Sequence, residues 1–115
     1  MANMARLVGH WRQEPPDLPG THLELSLKGS DIVVTEVWDR DDFPRKIVKG
    51  TTQTLARFRL NGRRVYGNLI TTTVNHTLIP FTGIVSETFK KIYFSYQVWY
   101  APNPNQVNEV TWLRE

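Results

Sequence analysis

Between Thr21 and Lys28 the chain alternates without a break. Leu23, Leu25 and Leu27 fall on one side; His22, Glu24, Ser26 and Lys28 fall on the other. A period of two belongs to a strand with one buried face, and no helix can sustain it. Two residues, Gly29 and Ser30, separate this run from a second one over 31–39. Two alternating runs joined by two turn-forming residues make a β-hairpin. A second hairpin is centred on Asn61-Gly62, whose residues tolerate the positive φ angles of a tight turn.

The rest of the chain continues this pattern. A short apolar segment, 7–12, runs into 14–20, where three prolines and a glycine exclude helix and central strand. Residues 46–60 read as extended, with Gly50 as a bulge or bend, and 63–74 as the returning strand. Asn75-His76 marks a turn. The strand over 77–85 contains Pro80, which predicts an edge or a bulge. Residues 90–100 form the most aromatic strand, and Val107–Arg114 the last. No segment holds the 3.6-residue period long enough for a helix. About eight strands in succession, joined by short turns, predict an antiparallel up-and-down meander that closes into a barrel. The fold class is therefore all-β, an eight-stranded antiparallel up-and-down barrel, as one domain over 1–115.

Composition narrows the function classes. No cysteine is present, which excludes a disulfide scaffold, a thiolate metal site and a cysteine nucleophile. Fourteen basic residues against eleven acidic give a net charge of +3, which allows anionic partners without requiring them. No run is long and apolar enough for a membrane-spanning helix. No hydrophobic leader opens the sequence, so a cytoplasmic location is expected; a secreted mature form would read the same way. The sequon Asn75-His76-Thr77 is of a kind that arises by chance.

The two ends carry a paired signal. Gly9-His10-Trp11 opens the first strand, and Thr111-Trp112-Leu113-Arg114 closes the last. This combination resembles the lipocalin and calycin superfamily, in particular small bacterial lipocalin-like domains. The resemblance implies that Trp11 plugs one end of the barrel, that Arg114 packs its guanidinium over the indole, and that Gly9 belongs to the opening motif. A cation over an indole contributes about 0.5–2 kcal/mol. The chain departs from secreted lipocalins in lacking their disulfides, terminal helix and Thr-Asp-Tyr motif. It also lacks the helical lid of fatty-acid-binding proteins.

A closed barrel of eight strands has room for side chains or one small ligand. The residues expected to line it are Trp38, Phe58, Tyr66, Ile70, Phe81, Phe94 and Tyr96. They predict an apolar or aromatic small molecule as ligand. Two other readings compete. One is an isomerase, cyclase or decarboxylase using a Tyr, Arg or His as general acid. The other is an interaction module, including a homodimer built on the strand near Pro80 or on Trp99 and Trp112. Arg57, Arg59, Arg63 and Arg64 around the Asn61-Gly62 turn could contact a nucleic acid, but a solvated charged ribbon is the favoured reading. Glu36, Asp39, Asp41 and Asp42 read as a solvated acidic turn. His10, His22 and His76 fall at no metal-ligand spacing, so neither a metal nor another cofactor is expected.

Overall fold

The computed structural model describes residues 2–14, 20–70, 78–97 and 107–115. Among the described residues eight strands are present: β1 (Gly9–Glu14), β2 (Thr21–Lys28), β3 (Asp31–Trp38), β4 (Thr52–Asn61), β5 (Arg64–Ile70), β6 (Leu78–Val85), β7 (Lys91–Gln97) and β8 (Val107–Arg114). Each pairs antiparallel with the next, and β8 returns to β1 to close the barrel. The predicted fold class is therefore the observed one.

Local departures have identifiable causes. The expected strand over 46–60 begins at Thr52, because Phe43–Arg45 forms a 3₁₀ turn and Lys46 takes a left-handed conformation. Gly50 lies in that connection. The bulge sits further on, where the register between β3 and β4 shifts at Val34 and Thr35. Pro80 pairs with Asn68 of β5, and the pairing of β6 with β7 begins one residue later, at Phe81. A four-residue helical turn, α1 (Ala2–Ala5), precedes β1.

Alternation sorts the side chains. Leu23, Leu25, Ile32, Val34, Phe58, Val65, Phe81, Val85, Ile92, Phe94 and Trp112 point inward and are buried. Phe94 and Trp112 meet edge to face at 4.4 Å, and Phe81 lies 4.8 Å from Phe94. These rings fill the middle of the barrel, as interior packing requires. Two inward glycines make room for them. A Cβ on Gly67 would lie 2.5 Å from the Cβ of Phe58, and one on Gly83 would lie 2.7 Å from that of Phe94.

One end is sealed. Met4 and Leu7 pack into it beside Trp11, whose Nε1 donates to the Leu7 carbonyl at 2.8 Å. The Arg114 guanidinium stands 5.8 Å from the Trp11 ring centroid and donates to the carbonyls of Val8, at 2.9 Å, and of Arg6. A Cβ on Gly9 would lie 3.2 Å from Arg114 Nη2, and its φ of +143° also favours glycine. Trp11, Gly9 and Arg114 thus meet at this end of the barrel. Among the described residues no helix is long and apolar enough to cross a membrane.

Candidate functional site

Opposite the sealed end, the interior changes character. Along β3 the inward positions run Ile32, Val34, Glu36, Trp38, so the aliphatic face gives way to a carboxylate and an indole. Glu36 is 3% exposed and Trp38 is 4% exposed. Glu36 thus belongs to the barrel interior, which corrects its reading as part of a solvated turn. The reason is parity: Glu36 pairs with the inward Leu23, and directly opposed residues of an antiparallel pair share a face.

A buried carboxylate needs donors. Gln53 Nε2 supplies one to Glu36 Oε1 at 2.8 Å. Nearby, Trp112 Nε1 donates to Gln13 Oε1 at 3.1 Å. Trp38 differs from both. Its backbone is fully engaged: its N–H donates to Thr51 at 2.9 Å, and its carbonyl accepts from Gly50 at 2.8 Å. Its buried indole Nε1 has no acceptor among the described residues. An unpaired buried donor costs about 1–3 kcal/mol.

Two recesses reach these residues from outside. One, of about 320 Å³, touches Glu36 and is walled by Gln13, Thr21, His22 and Leu23. The other, of about 400 Å³, lies between Trp38 and residues 40–45. That connection is braced by Arg45 with Asp42 at 2.6 Å and by the Lys49 amide donating to Asp41 at 2.8 Å. A larger groove of about 550 Å³ runs over the outer face of β4, β5 and β6. Its two guanidinium groups are already held by Asp31, Arg59 at 2.6 Å and Arg57 at 3.0 Å. We therefore place the candidate site at the mouth, where a buried donor lacks a partner.

The sequence-predicted lining residues divide. Trp38, Phe58, Phe81, Phe94 and Tyr96 face the interior. Of these, Phe58, Phe81 and Phe94 belong to the packed aromatic middle, and Trp38 lines the mouth. Tyr66 and Ile70 face outward, and Tyr66 is 45% exposed. The inward residues of β5 are Val65, Gly67 and Leu69, opposite Leu60, Phe58 and Ala56. Trp112 is fully buried in the core, so it offers no dimer surface. Trp99 and His76 lie outside the described residues.

The histidines are not all scattered. His10 and His22 stack on the outer face with ring centroids 5.2 Å apart. His22 contacts Asp39 at 2.6 Å and Glu24 at 3.3 Å. Partial burial works against its charge, but the hydrogen bonds to Asp39 and Glu24 together outweigh burial and raise its pKa above the ordinary histidine value. The missed signal was register. His22 and Glu24 share a strand face, and the β1–β2 pairing sets His10 opposite Glu24.

Comparison of the chain with protein-family models, with curated proteins and with solved structures finds no match.

Proposed function

We propose that this is a small lipocalin-like barrel that binds an apolar or aromatic small molecule at its mouth. The ligand carries a hydrogen-bond acceptor that takes the Trp38 indole N–H. It also carries a donor or cationic group that meets Glu36. The observation that carries this reading is the buried Trp38 Nε1 without an acceptor. A buried donor of that kind is costly in the free protein and is relieved when a ligand supplies the acceptor. The sealed opposite end and the aromatic middle support a ligand confined to the mouth. The polar and charged walls of the two recesses, among them Gln13, Thr21, Arg40 and Asp42, favour a ligand that carries polar groups on its apolar body.

The test is intrinsic tryptophan fluorescence against a panel of apolar and aromatic compounds bearing carbonyl, carboxylate or amine groups. The expected result is a saturable change with at least one class, lost or weakened about tenfold or more in Trp38→Phe. That factor corresponds to about 1.4 kcal/mol, within the worth of one buried hydrogen bond. No response to any compound, or an undiminished affinity in Trp38→Phe, would contradict the reading. The variant should fold, because the loss of the unpaired N–H offsets part of the lost ring area.

A further inference from the structure

The outer face of β1 and β2 carries a second cluster, which shares His22 with the wall of the recess that reaches Glu36. His10 stands opposite Glu24 in the β1–β2 register, and His22 precedes Glu24 by two residues on the same outward face. Neighbours of this kind in a sheet are within reach of one another. One ligand atom from each of His10, His22 and Glu24 lies within 4.8 Å of the other two. The imidazole rings are nearly parallel, at 23°.

Asp39 adds the decisive orientation. Its Oδ1 lies 2.6 Å from His22 Nδ1. A carboxylate there places the ring proton on Nδ1 and leaves the Nε2 lone pair free. Nε2 is the atom that faces Glu24 Oε1, at 3.3 Å. A carboxylate holding the far nitrogen of a ligating histidine is the usual outer support of a protein metal site. A tetrahedral cation with bonds of about 2.1 Å holds its ligands about 3.4 Å apart. The His22–Glu24 pair already stands at that separation. His10 is exposed, so its ring can turn inward to complete the set.

We propose that His10, His22 and Glu24 bind a divalent first-row transition cation, with zinc the best fit, and that Asp39 acts as a positioning residue for His22. Two imidazoles and one carboxylate suit zinc and its neighbours, whereas magnesium and calcium prefer all-oxygen sets. Three protein ligands leave a fourth position open to solvent or to an exogenous ligand. With neutral imidazoles, the Glu24 and Asp39 carboxylates together balance the cation's two charges. The competing arrangement is a protonated His22 bridging Asp39 and Glu24 with no metal.

The full chain, stripped with a chelator, is titrated with zinc chloride by calorimetry and with cobalt chloride by visible absorption. The proposal expects one cation per chain, undisturbed by a large excess of magnesium or calcium. His10→Ala, His22→Ala and Glu24→Gln each weaken binding by about tenfold or more, and His76→Ala leaves it unchanged. Asp39→Asn weakens it by about 10–100-fold while keeping the cobalt spectrum of the bound state. In the unmutated protein, zinc shifts the ring signals of His10 and His22 in NMR and leaves that of His76 in place. This second readout does not depend on any variant folding. Uptake by the wild type no greater than by His22→Ala, or unmoved His10 and His22 signals, would overturn the proposal.

Discussion

Arg114 links three parts of the sealed end. It reaches the Val8 and Arg6 carbonyls, stands over Trp11, and crosses the space that a side chain on Gly9 would take. Lysine cannot reproduce that arrangement, because one ammonium lacks the planar fork that serves two carbonyls from over a ring. We expect Arg114→Ala to cost about 1–3 kcal/mol, from hydrogen bonds to a charged group and the cation–π contact. Arg114→Lys should recover less than half of that loss. Urea unfolding followed by circular dichroism measures both. Asp31 offers a pH test on the outer face of β3 and β4. Hydrogen bonding from Arg59 first, with Arg57 adding charge, holds its carboxyl below the ordinary value of 3.8. A depressed folded pKa means that its contribution is present above about 3.8, the unfolded value, and is lost as pH falls through the folded one. NMR titration should find Asp31 titrating below 3.8, and Arg59→Ala should move it back up.

At the scale of elements, glycine decides how β5 and β6 sit against their neighbours. Gly67 faces Phe58 and Gly83 faces Phe94 across the pairing. A methyl group on either would lie within 2.2 Å of the Arg57 carbonyl or 2.1 Å of the Tyr93 carbonyl respectively. Gly67→Ala and Gly83→Ala should each destabilise by about 2 kcal/mol or more, since overpacking forces the strands apart; thermal melts would show it. The same glycines explain what could not be read from the sequence. In β2 and β3 the leucine and valine alternation set the inward face correctly. In β5 an inward glycine alternates with an outward tyrosine, so size points the wrong way, and Tyr66 and Ile70 read as inward from the sequence. Glu36 was legible only as a break in its strand's apolar face. The His10–His22 pair was not legible, because it depends on the register between β1 and β2, which no local pattern encodes.

On the scale of the whole molecule, the chain spends its strands on closure. The meander returns β8 to β1, so that Trp11 pairs with Arg114 and the first and last strands are held by one another. Closure without disulfides leaves packing and the clasp to hold the barrel. One end is filled to do so, and the other retains a buried carboxylate and an unpaired indole donor. The barrel is therefore asymmetric, filled at one end and receptive at the other. A proton–nitrogen correlation spectrum of the indole N–H groups, recorded while a compound selected by fluorescence is added, tests it most directly. The Trp38 indole signal should move as it gains an acceptor. The signals of Trp11 and Trp112, already bonded to Leu7 and Gln13, should hold. A fixed Trp38 signal with movement at Trp11 or Trp112 would contradict it.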